Sequence, residues 1–103
     1  MTGKVRRWTS PNDANHKNHH AEVDGVEFFR FPYSPFMGRV GRFTATVSDR
    51  TLGGVYHSTV FKPNPNKSGA TIPIEHKSGT DQDSLFVWAA AQMKRLNRLE
   101  KGD

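Results

Sequence analysis

TDQDSLFVWAAAQMKRLNRLEK, residues 80–101, is the stretch that decides the fold. At about 100° per residue, Leu85, Phe86, Trp88, Ala89, Met93, Leu96 and Leu99 fall on one broad face, and Lys94, Arg95 and Arg98 on the opposite one. That spacing predicts an amphipathic helix with its apolar side on another layer. Thr80 is the expected N-cap, Asp81 and Asp83 suit the positive end of the helix dipole, and the late basic residues suit its negative end. Gly102 is the expected stop.

Working back from the helix, the preceding chain reads as short strands. Asp24-Gly25 between Val23 and Val26 is a two-residue hairpin signal, which places strands at about 20–23 and 26–31. Pro32 and Pro35 then take the chain out of pairing, and Gly38 and Gly41 bracket an expected bend. RFTATVS (42–48) alternates apolar and hydroxyl residues, VYHSTVF (55–61) should pair with it, and ATIPIEHK (70–77) reads as an edge strand because Pro73 has no N–H to donate. The expected architecture is α+β: a small antiparallel sheet of four or five strands covered by one C-terminal helix. Residues 1–20, polar and without a period, are expected as an extended, flexible or partner-bound arm, and 21–103 as a single domain.

Composition narrows the chemistry. The chain has 103 residues, a formal charge of +5 and no cysteine, which removes disulfide scaffolds, thiolate zinc sites and cysteine catalysis. No stretch approaches the ~20 apolar residues of a membrane span, and the basic N-terminus has no apolar run after it, so no membrane association and a cytoplasmic location are expected. Positive charge is concentrated before residue 21 and between 28 and 67. A polyanion such as nucleic acid, or an acidic protein surface, is the partner this distribution favours.

FFRFPYSPF (28–36), followed by Arg39 and Arg42, interleaves flat rings with cations, the combination that stacks bases while neutralising phosphates. Alternation puts Phe29 and Phe31 on one strand face and Phe28 and Arg30 on the other; one set must line the core. The expected nucleic-acid contacts are Arg6, Arg7, Arg39, Arg42, Arg50 and Lys62, with Tyr33 and Phe36 as stacking surfaces and Trp8 as a partner anchor or a plug docked on the domain. Asp13, His16, His19 and His20 are metal-ligand types, but an unstructured arm would not fix their geometry, so neither metal nor cofactor is expected.

His57-Ser58-Thr59 and His76-Lys77-Ser78 resemble the His-x-Thr/Ser signature of two-histidine phosphoesterases, in which paired histidines act as acid and base on a phosphodiester. Only 18 residues separate the two histidines here, whereas that family sets its motifs in two halves of a larger domain. Gly38-Arg39-Val40-Gly41 is too short for a phosphate loop. The leading expectation is therefore a non-enzymatic nucleic-acid-binding module using the sheet face and the arm. The alternative is a small interaction protein of the kind phages and mobile elements encode, which modulates or completes a larger assembly, a virion component included. Phosphodiester hydrolysis is a third, minor class. An exposed strand edge would also admit a homodimer.

Overall fold

Asp24 (φ 53°) and Gly25 (φ 82°) both adopt the left-handed backbone that a two-residue hairpin requires between Val23 and Val26. The computed structural model describes residues 4–11, 17–31, 34–51 and 53–102. Around this turn the chain forms β1 (Arg6–Pro11), β2 (Lys17–Val23), β3 (Val26–Arg30), β4 (Phe36–Val40), β5 (Phe43–Val47), β6 (Tyr56–Pro63) and β7 (Thr71–Gly79), then α1 (Gln82–Glu100). Every strand is antiparallel to its neighbour in sequence, so the order across the sheet is β1 to β7 without a crossover.

The α+β layout and the single packed C-terminal helix are as expected, but the sheet has seven strands instead of four or five. β1 and β4 are the additions. β4 holds Gly38 where a bend was expected; the glycine sits directly opposite Phe28, whose ring occupies the space a Cβ would fill. β1 is polar, and its pairing is supplied by its partner: Arg6 lies opposite Glu22, Trp8 opposite His20 and Ser10 opposite Asn18. Residues 6–11 and 17–20, expected in an extended arm, thus lie within the sheet. β1 and β7 are its two edges. Pro73 falls at a register shift opposite Val60 and Phe61, where the extra residue, Ile74, packs against the core.

The core lies on one face only. Ala21, Val23, Val26, Phe28, Phe36, Ala45, Val47 and Val60 are buried beneath Leu85, Phe86, Ala89, Ala90 and Met93 of α1. Phe86 is the wedge, edge-on to Phe28 at 5.1 Å and to Phe36 at 5.0 Å between ring centroids. Ser58 is fully buried in the same layer, a small residue that lets the helix approach β6.

The helix differs from its expected form in three respects. Its N-cap is Asp81 rather than Thr80: Asp81 Oδ1 accepts from the Asp83 backbone N–H at 3.2 Å, and Ser84 Oγ donates to Asp81 Oδ2 at 2.7 Å. Trp88 and Leu96 are half-buried at the margin of the core. Leu99 is 60% exposed, because the sheet ends near the turn at Gly41, level with Asn97, and the last helical turn projects beyond it. Gly102 (φ 81°) closes the helix, donating to Leu99 O at 3.1 Å. Among the described residues no helix is long and apolar enough to cross a membrane.

Phe86→Ala should destabilise the domain by about 3–5 kcal/mol, since it empties a fully buried site between two rings. Leu99→Ala should shift stability by less than about 0.5 kcal/mol. Chemical denaturation of both variants checks the assignment of the helix's buried face.

Candidate interface on the open sheet face and its cationic end

With α1 on one side, the other side of the sheet is left open. Register pairing draws one transverse row across it: Trp8, His20, Phe29, Met37, Thr46, Thr59 and His76, each opposite the next. The row changes character midway. From β1 to β4 it is aromatic and apolar; from β5 to β7 it consists of two hydroxyls and an imidazole.

In the first half the rings stack on one another. Trp8 and His20 are parallel within 4° at 5.0 Å, His20 lies 6.2 Å from Phe29, and Phe29 meets Phe31 edge-on at 5.3 Å. The Arg6 guanidinium lies 4.4 Å from the Trp8 ring centroid while pairing with Glu22 at 3.1 Å. His20 Nε2 is 2.7 Å from Ser10 Oγ, a second tie between β1 and β2. Trp8 is therefore docked on its own domain, half-buried, with its flat surface engaged within the chain. Farther in, Phe29 (38% exposed), Phe31 (55%) and Met37 (51%) form an uncovered apolar patch, bordered by Ser34 and Pro35.

The predicted cations separate into distinct environments. Arg6 and Arg7, both expected as nucleic-acid contacts, point to opposite sides of β1. Arg7 reaches the helix N-terminus, where it pairs with Asp83, donates to Gln82 Oε1 at 3.0 Å and lies 5.5 Å from the Phe86 ring centroid. It is a strut between edge strand and helix. Arg30 likewise serves inside, paired with Asp49 at 3.3 Å and lying over Phe36. Arg50 is exposed in the loop joining β5 to β6.

Arg39, Arg42 and Lys62 lie at one end of the molecule, Arg39 on the open face and Lys62, by alternation, toward the helix side. Arg39 and Arg42 flank the turn at Gly41, and Lys62 follows Phe61, the register partner of Thr44. Asn97 against Gly41 and Arg42 at 3.9 Å from Glu100 bring the helix C-terminus, with Arg98 and Lys101, to the same place. Lys67 lies in the loop after β6 at this end. Arg39 donates from Nε to Gly41 O at 2.9 Å; among the described residues neither it nor Lys62 has an ion-pair partner. The exposed helix cations are partly committed: Arg95 pairs with Glu75 at 2.7 Å and Lys94 donates to Asp24 O. Sequence reasoning treated the helix and strand cations as separate sets, because only the packing of α1 brings Arg98 and Lys101 beside Arg42.

Phe36, expected as a stacking surface, is buried against Phe86 and offers no face to a base, because alternation along β4 turns it toward the helix. Tyr33 lies outside the described residues, as do Asp13 and His16 of the histidine cluster. His19 and His20 are consecutive in β2 and project to opposite faces. Among the described residues, no group of three or more His, Asp or Glu side chains is placed to hold a metal ion.

Both His-x-Ser/Thr strings lie in strands, and those strands are adjacent. His57 is opposite Ser78 and Thr59 opposite His76, so all four side chains share the open face, with the two imidazoles 5.5 Å apart at 30°. Rings stacked on each other do not straddle a phosphorus atom, whereas in-line displacement needs base and acid on its opposite sides.

These features define a two-layer α+β domain with an antiparallel meander open on one face. Comparison of the chain with protein-family models, with curated proteins and with solved structures finds no match.

Trp8→Ala should loosen β1 without unfolding the core. Backbone amides of β1 should exchange about tenfold faster or more, while those of β5 and β6 stay protected, in a native-state hydrogen-exchange experiment.

Proposed function

We propose that this protein is a nucleic-acid-binding module that works by binding rather than by turnover. Support comes first from the gathering of Arg39, Arg42 and Lys62 with Arg98 and Lys101 at one end of the domain. Cations grouped this way neutralise consecutive phosphates, and the counterions released supply the affinity. The open face begins at Arg39 and carries exposed Phe29, Phe31 and Met37, against which unpaired bases would pack. Single strands fit this arrangement better than duplex, since the exposed rings need bases free of pairing.

A second reading has one specific observation in its favour. The apolar patch of Phe29, Phe31 and Met37 has Glu27 beside it, and Glu22 lies on the same face. Such a mixture suits a protein surface, as expected of a small interaction protein that modulates or completes a larger assembly. A strand-edge homodimer would have to use β1 or β7, and Pro73 with its bulge blunts the latter.

Fluorescence anisotropy with a single-stranded oligonucleotide should show affinity falling steeply with salt. In the Arg39→Gln, Arg42→Gln, Lys62→Gln triple variant the log-log slope should become shallower by about 2, at roughly 0.7 per phosphate contact. Binding indifferent to salt would remove the nucleic-acid reading. A co-purifying protein that survives nuclease treatment and is lost with Phe31→Ser would put the protein-partner reading in its place.

A further inference from the structure

The half of the open face formed by β5, β6 and β7 is not absorbed by the aromatic stack, the core or the cationic end. Thr44, Thr46, Ser48, His57, Thr59, His76 and Ser78 occupy it by strand alternation, with Phe61 beside Thr44 at its far end, opposite a buried layer that includes Ala45, Val47, Ser58 and Val60. Glu75, the only acid of β7, turns away to Arg95. The surface thus presents hydroxyl and imidazole donors with no carboxylate among the described residues of these three strands facing the same way.

We infer that His57, Thr59, His76 and Ser78 form a phosphate-binding site. This rests on the nucleic-acid reading and gives it a second contact point, away from the cationic end. Direct pairing of His57 with Ser78 and Thr59 with His76 holds four donors at the corners of one two-strand cell. Cross-strand neighbours stand about 5 Å apart, a spacing that the oxygens of one phosphate group bridge with hydrogen bonds from several corners at once. Backbone pairing pre-organises the cell. The His57 backbone N–H is taken up by Ser48 Oγ at 3.0 Å, which ties β6 to the end of β5 beneath it. Room exists on the edge side, where a shallow depression is lined by Thr59, Pro73, Ile74 and His76; Glu75 also borders it, with its carboxylate held by Arg95 of the helix. His76 and Ser78 are exposed, and the contact of His76 with a neighbouring ring is its stacking on His57 across the strand pair.

The phosphate could belong to a strand's interior or to its terminus, and one titration separates them. Imidazole Cε1–H signals are followed by NMR as the intact protein is titrated with inorganic phosphate, then with oligothymidylate with and without a 5′ phosphate. His57 and His76 should move together along one saturating curve, and His19 and His20 should stay in place. A response confined to the phosphorylated oligonucleotide assigns the site to strand ends; an equal response to both assigns it to the backbone. His76→Ala, at an exposed position, should weaken the response of His57 at least fivefold with the amide spectrum otherwise unchanged.

Silence of His57 and His76 while oligonucleotide binds with the expected salt dependence would overturn this site and leave the cationic end standing. Equal movement of every histidine would also overturn it. Saturation by inorganic phosphate without any oligonucleotide binding would keep the site and remove nucleic acid as its source of phosphate.

Discussion

The contact on which the rest of the molecule depends is Phe86 set edge-on between Phe28 and Phe36. It joins the helix to β3 and β4 through their two largest core side chains. Edge-to-face geometry satisfies the ring quadrupoles and fills space that aliphatic chains would leave irregular. The core also contains small residues: Gly38 lies beneath Phe28, and Ala45, Ser58, Ala89 and Ala90 are at near-zero exposure. Large rings on a floor of small residues allow one helix to seat deeply enough to make a core in a chain of 103 residues.

One helix cannot cover seven strands. An α-helix with its side chains is about 10–12 Å across, while seven strands at about 4.8 Å spacing span nearly 30 Å. The edges therefore need other means of attachment. At β1 the means are the Trp8–His20–Phe29 stack on the open face and the Arg7 to Asp83 pair on the covered one, so this polar strand is held from both sides. At β7 they are the long ladder to β6, the bulge that turns Ile74 inward, and the Glu75 to Arg95 pair. Surface ion pairs contribute at most about 1 kcal/mol each, so pairing and stacking carry the edges and the charges fix orientation.

How much of this was legible follows from where the determining contacts lie in the chain. The helix, the Asp24-Gly25 turn and β5 carry local signals, a 3.6-residue period, a residue pair with positive φ and strict alternation, and each occurs where its pattern placed it. β1 and β4 carry none: β4 is made regular by a ring from the neighbouring strand over Gly38, and β1 by partners across the hairpin. The same distinction divides the site residues. Alternation correctly separates Phe28 with Arg30 from Phe29 with Phe31, but which set faces the core is decided by the helix, and Phe36 shares the fate of Phe28. Leu99 fits the apolar period and still lies in solvent, because a helical wheel contains no information on where the sheet beneath it ends.

Charge is distributed by the same geometry. Pairing with acids consumes the arginines near the helix N-terminus, Arg7 with Asp83 and Arg30 with Asp49, where those pairs brace the structure. At the opposite end Glu100 beside Arg42 and Glu27 beside Arg39 are set among a larger group of cations, and these acids, with the negative pole of the helix dipole, only partly offset their mutual repulsion. A fold that needed its arginines solely for bracing would spread them as it does at the first end. Clustering them around the β4 to β5 turn, at the mouth of an uncovered sheet face, raises the local positive potential at some expense in stability, and that trade is the physical basis for looking to a polyanion as the partner.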